Sequence, residues 1–174
     1  TVLQAPANNI AELAIPYHDL PQTRANAACN CIVPLDSTFT VVPFIGSAAP
    51  DYRNDDASSA PIALPFNFCL YGSSYDSVYI NNNGNVSFVN SYFSFTSDSF
   101  PSSNYIMVAP FWGDVDTRDS ASGLVYYKIT PTSLIVRWDN VGYFPLAGDK
   151  LNDFQLIITN GLDPILPAGT NVGY

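Results

Sequence analysis

Three carboxylates in the run Asp114-Val115-Asp116-Thr117-Arg118-Asp119 are the side chains of this chain best spaced for chemistry. On extended backbone, residues two apart point to the same face. Asp114 and Asp116 therefore project together, and Asp119 can fold back through a turn. Calcium takes about six to eight oxygen ligands, and such a turn could supply two or three of them. The run has neither the bend glycine nor the closing glutamate of an EF-hand loop, so its match to a calcium site is generic. Arg118 sits beside the carboxylates, and the competing reading is a structural turn closed by side-chain to backbone hydrogen bonds or by an Asp–Arg pair. Ca2+ is the one cofactor these residues suggest, with Asp114, Asp116 and Asp119 as its ligands.

A second group is the amide cluster Asn81-Asn82-Asn83-Gly84-Asn85. Asn-Gly between two alternating runs signals a type I′ hairpin, which needs positive φ at both central residues. Turn chemistry explains most of the asparagines, and exposed amides of Asn81, Asn82 and Asn83 at a hairpin tip would also suit a glycan or protein ligand. Asn85-Val86-Ser87 is the only N-glycosylation acceptor pattern, at the start of a strand. The aromatic residues Tyr92, Phe93, Phe95 and Phe100, with Trp138, Tyr143 and Phe144, could form a sugar-stacking platform or simply a core. Tyr92 and Tyr143 suit the platform best, because a hydroxyl lets each sit at the surface. Phe111 and Trp112, between Ala109-Pro110 and Gly113, read as core.

Cys29, Cys31 and Cys69 are an odd set. Cys29 and Cys31 lie on one face of a strand, poor geometry for bonding each other, so a disulfide from one of them to Cys69 is expected, with the pairing open. Free buried thiols and a metal site with His18 are the alternatives, the latter short of zinc-ligand spacing. His18 is the sole histidine and lies in a proline-flanked arm, which leaves Ser-His-Asp chemistry without support. A glycosidase needs two carboxylates in one cleft, and nothing marks such a pair. The chain is therefore expected not to be an enzyme.

The elements that must carry these residues are strands. The 174 residues include 11 Tyr and 11 Phe against a single Met, with 14 Pro and 10 Gly as punctuation, a composition that favours an all-β antiparallel sandwich of jelly-roll type. Strands are expected over 62–69, 76–81, 85–89, 105–112, 123–129, 133–138, 141–144 and 154–159. CIVPL and STFTVVPF read as edge strands, since their prolines deny ladder donors. The segment 46–60 is the clearest loop, dividing an arm with edge strands (1–61) from the main body (62–174). A net charge of −9 disfavours nucleic acid and anionic membrane surfaces. No run of ~18 apolar residues could span a bilayer as a helix. The start at Thr1 suggests a processed or trimmed product, and the final NVGY reads as the opening of another strand, so truncation at the C-terminus is expected.

The order of a hydrophobic strand, NNNGN, a strand, APFW, DVDTR, GLVYYK, a strand containing Trp138, and DFQLIIT resembles the NIDO domain, first described in nidogen and recurring in tectorin-like and mucin-like proteins and in large bacterial surface proteins. CNCIVPLDSTFTVVPF, PDYRNDD and FNFCLYG resemble most the adhesin-like surface proteins of gliding-type bacteria. The resemblance implies an extracellular, non-catalytic adhesion or matrix module that presents loops to a protein or glycan partner, neighbouring copies or the rest of its own polypeptide. A carbohydrate-binding module of a larger secreted protein and a structural subunit of a surface fibre or layer are the other readings.

Overall fold

In a computed structural model, residues 32–98 and 104–164 are described. Their strands are β1 (Thr40–Val41), β2 (Ile62–Leu70), β3 (Ser73–Asn81), β4 (Asn85–Ser87), β5 (Met107–Val108), β6 (Leu124–Ile129), β7 (Ser133–Tyr143) and β8 (Ala147–Thr159). They form two four-stranded sheets, β1-β6-β7-β8 and β2-β3-β4-β5, with every pairing antiparallel. None of the described residues is helical. The all-β sandwich expected from composition is the fold observed.

Side chains from both sheets build one core. Phe68, Val78, Ile80 and Val86 from one sheet meet Val125, Leu134, Val136, Trp138, Leu156 and Ile158 from the other. β7 is central in its sheet, and the whole run Ser133–Trp138 is buried. Its inward face is apolar. On the other face Arg137 is 6% exposed, its charge balanced by Asp139 at 2.8 Å and Asp153 at 2.9 Å. Arg137 Nη1 also donates to the Val33 carbonyl at 2.7 Å, and the Val33 amide donates to Gln155 Oε1 at 2.9 Å. The segment entering at residue 33 is thereby held across β7 and β8.

The differences from the expected strands have local causes. The gap expected at 139–140 is a register shift inside the single long strand β7, with Asn140 at φ 49°. β8 begins at Ala147, ahead of the expected Phe154, because the pair Tyr143↔Ala147 closes a hairpin that carries the weak strand formers Gly148, Asp149 and Lys150 into the ladder. Pairing with a neighbour outweighs their propensity. The strand expected over 105–112 contracts to Met107–Val108, since Pro110 has no ladder donor. The two expected N-terminal strands reduce to β1, which pairs with β6 at the sheet edge, and a bridge between Phe44 and Ser59. Residues 32–61 are thus stitched into both sheets, and 1–31 lie outside the described residues. So does the NVGY segment.

Candidate functional site

Three segments converge at one end of the sandwich: the loop 46–60, the β3–β4 hairpin tip and the turn 110–122. The hairpin is closed by the pair Asn81↔Asn85, so its loop is the three residues Asn82, Asn83 and Gly84. Gly84 has φ 82°, and no asparagine of the loop has positive φ. Three-residue hairpin loops place one residue in the left-handed region as a bulge, which corrects the expected type I′ turn. A Cβ on Gly84 would sit 1.7 Å from the Phe111 carbonyl oxygen. Only glycine fits there.

The asparagines are not displayed. Asn81, Asn82, Asn83 and Asn85 are all 0% exposed, which corrects the expectation that Asn81, Asn82 and Asn83 offer exposed amides to a ligand and leaves Asn85 inaccessible to glycosylation in the folded chain. Buried amides need partners, and among these only the Asn82 side-chain oxygen has none. Asn81 Nδ2 donates to Asn85 Oδ1 and Ser87 Oγ, while its Oδ1 accepts from Ser58 Oγ and the Tyr92 amide. Asn82 Nδ2 donates to the carbonyls of Asp55 and Val115. Asn83 Nδ2 donates to Asp56 Oδ1 at 2.7 Å and to the Phe93 carbonyl at 2.9 Å, and its Oδ1 accepts from the Val115 amide. The Asn82 carbonyl accepts from Trp138 Nε1 at 2.9 Å. The tip is a polar hub that ties the loops to both sheets.

The three expected calcium ligands are used differently from one another. Asp116 is 0% exposed, and both its oxygens are engaged: Oδ1 accepts from the Arg118 amide and Nε, Oδ2 from Arg118 Nη2 at 2.6 Å and the Leu146 amide. Burial pushes its carboxyl up, but the Arg118 bonds and the Leu146 amide outweigh that and hold it below the usual carboxylate range. Asp119 Oδ1 closes a turn by accepting from the Ala121 amide at 2.7 Å. Asp114 alone joins an open cluster, with Asp55 and Asp56, whose carboxylate oxygens lie within 4.8 Å of one another. Asp116 and Asp119 serve the structural turn, while Asp55 and Asp56 in the loop are functional candidates that reading by spacing misses. Their signal in the sequence is the adjacent pair in PDYRNDD, uninformative until that loop is seen to reach the hairpin tip.

The cluster is short of positive charge. Arg118 Nη2 reaches Asp55 Oδ2 at 2.9 Å as well as Asp116, but Asp55 Oδ1 is buried and accepts nothing. Burial, with the neighbouring Asp116, pushes the Asp55 carboxyl up to about 6 in spite of Arg118; Asp56 and Asp114 push the same way. Asp114 is raised by burial and by Asp56 and Asp116. Arg53 holds the loop from behind, its Nη1 donating to the carbonyls of Thr117, Asp119 and Ser122 at 2.6, 2.9 and 2.9 Å.

Beside the carboxylates lies a cavity of about 350 Å³ lined by Asp56, Ser91, Tyr92, Phe93, Ser94 and Phe95. Phe93 and Phe95 are 54% and 51% exposed. Phe111, expected in the core, is 46% exposed, with one face on Phe154 at 5.1 Å. Trp112 is half-buried. Phe144, whose amide donates to the Asp114 carbonyl at 3.1 Å, is 50% exposed. Tyr92 packs against Tyr105 and Trp112, Tyr143 donates its hydroxyl to Asp149, and Trp138 is fully buried on Phe154. The Tyr92 ring is therefore packed locally, and the Tyr143 hydroxyl is taken by Asp149. Cys69 is exposed on β2 with a free thiol, so the expected bridge to it is not formed in this structure; Cys29 and Cys31 lie outside the described residues.

The profile of the NIDO-related family matches residues 33–166. Alpha-tectorin of Mus musculus is 40% identical over 96 residues, covering 55% of this chain and 4% of that protein. Nidogen of Drosophila melanogaster is 31% identical over 129 residues, 59% of this chain and 10% of that protein, and nidogen-2 of Mus musculus is 32% identical over 103 residues, 56% and 7%. The chain thus spans about a tenth or less of the length of these relatives. They are animal proteins, and the bacterial-surface context expected from the N-terminal phrasing gains no support from them. No solved structure matches at a significant level. The chain is a member of the NIDO-related family.

Proposed function

We propose that this chain is a non-catalytic matrix-interaction module that engages a protein partner through the end of the sandwich where Asp55, Asp56 and Asp114 meet Phe93, Phe95 and Phe144. An extracellular location follows from the family membership. The observation that carries the surface assignment is the grouping of half-exposed phenylalanines around an acidic cluster on a scaffold whose loops are pinned by buried hydrogen bonds. Large apolar side chains held at a rigid polar-rimmed surface are what protein interfaces use. A glycan platform keeps less support, since the tyrosines chosen for it are engaged locally. Calcium at Asp114, Asp116 and Asp119 loses its geometry, because Asp116 is taken by Arg118.

The test is binding of the purified chain to arrays of extracellular-matrix proteins and of glycans, each with calcium and with a chelator. The expected result is a protein hit that the double substitution Phe93→Ser/Phe95→Ser abolishes. A saccharide hit without a protein hit would transfer the assignment to a carbohydrate-binding module. Silence on both arrays would overturn the interaction reading and favour assembly into a larger structural array.

A further inference from the structure

The acidic cluster and the phenylalanine-walled cavity share a wall, Asp56. Four carboxylates, Asp55, Asp56, Asp114 and Asp116, are gathered here, and among the described residues one cation, Arg118, is paired with them. That one positive charge is shared, with Asp116 bonded to it through both oxygens and Asp55 through one. What remains is uncompensated negative charge next to an apolar wall, with one carboxylate oxygen of Asp55 buried and unpartnered. Like charges this close oppose folding, and a cation from outside would relieve them.

The cavity decides which kind of cation. A metal ion asks for a shell of oxygens, whereas the lining, although it includes Ser91 and Ser94, presents mainly apolar surface from Phe93 and Phe95. A long basic side chain matches both halves, since its aliphatic stem lies on apolar surface while its charged head reaches carboxylates. A guanidinium or ammonium also gains from the face of an aromatic ring. We propose that this cavity receives a lysine or arginine side chain of a protein partner, the stem against Phe93 and Phe95 and the head on Asp56, with Asp55 and Asp114 alongside. The inference rests on the protein-interaction reading above and names the chemistry of the partner's contact residue.

Two probes test it without knowledge of the partner. N-acetyl-arginine amide and its uncharged isostere N-acetyl-citrulline amide are titrated separately into the isotope-labelled chain, followed by amide shifts. Arginine amide should shift residues 55, 56, 93–95 and 114 in a saturable way, and citrulline amide should bind at least ~10-fold more weakly. Asp56→Asn keeps an oxygen for Asn83 to donate to, so the fold should persist, and it should cost arginine binding a similar factor. Equal response to the two probes, or shifts centred elsewhere, would overturn the proposal. So would tight calcium binding at the trio that arginine amide does not displace, which would make the cluster a metal site. A matrix partner whose binding survives Asp56→Asn would leave the interaction reading intact and sink this one. Arginine binding without any matrix partner would do the reverse.

Discussion

Gly84 is the position where one atom matters most. A methyl group there would meet the Phe111 carbonyl at 1.7 Å on a backbone already at φ 82°, so neither a rotamer change nor a small shift relieves it. Gly84→Ala should cost at least ~4 kcal/mol, among the largest effects of a single substitution, read as a lowered denaturation midpoint. Asp55 makes a different prediction, about pH. Its carboxyl titrates near 6 in the fold and near the ordinary value of 3.8 in the unfolded chain, so between those values the folded state binds more protons. Stability should rise as pH falls from about 6 to about 4, and the penalty should be fully present above 6. Asp116, held low, works the other way, and its stabilisation is lost only as pH drops below 3.8 and through its depressed value. Urea midpoints across pH 4–7 should show that slope in the parent chain and a flatter one in Asp55→Asn, with the variant the more stable at pH 7. An identical slope in both would exclude Asp55 as its source.

At the scale of elements, the strands were readable where alternation and burial coincide, and hidden where a neighbour imposes the conformation. β2, β6 and β7 announce themselves through Leu64, Phe68 and Leu70, or Val125, Leu134 and Val136. The first half of β8 does not, because Gly148-Asp149-Lys150 owes its extended form to β7. The loop 46–60 was legible as a loop, but its role was not: Asp55 and Asp56 become a site only when the hairpin tip and the 110–122 turn arrive beside them. The asparagine cluster was misleading for a related reason, since amides at a turn are ordinarily solvated and here the turn is buried. Arg53 is the element-level fastener, one guanidinium nitrogen serving three carbonyls of the 117–122 turn. Arg53→Met should loosen that turn while the sheets persist. A hydrogen bond to a charged group is worth roughly 1.5 kcal/mol at the low end, so amides of 118–122 should exchange ~10-fold faster or more, with β7 protection unchanged. Uniform acceleration across the sheets would mean that Arg53 supports the fold globally.

For the whole molecule, the join between the sheets matters more than either sheet. Trp138 stacks on Phe154 at 4.9 Å within its own sheet and donates Nε1 to Asn82 at the tip of the other. Trp138→Phe keeps a ring in the stack but leaves the buried Asn82 carbonyl without its donor. The expected loss is ~1–3 kcal/mol, with the urea dependence of stability unchanged; a markedly smaller dependence would indicate that the sheets unfold separately. The attachments of the chain's described ends carry a mechanical consequence. Val33 is fastened to Arg137 and Gln155, while the Asn160 amide donates to the Thr132 carbonyl and Thr132 Oγ1 to Asp163. Arg137 and Ser133, beside these two fastenings, are separated by about 13 Å of β7 at the usual strand rise. Tension applied through residues 33 and 163 would enter and leave through a single sheet, over the first half of β7. The opposite sheet, with its hairpin, would sit outside the line of force, so stretching the chain between residues 33 and 163 would leave the hairpin tip in place.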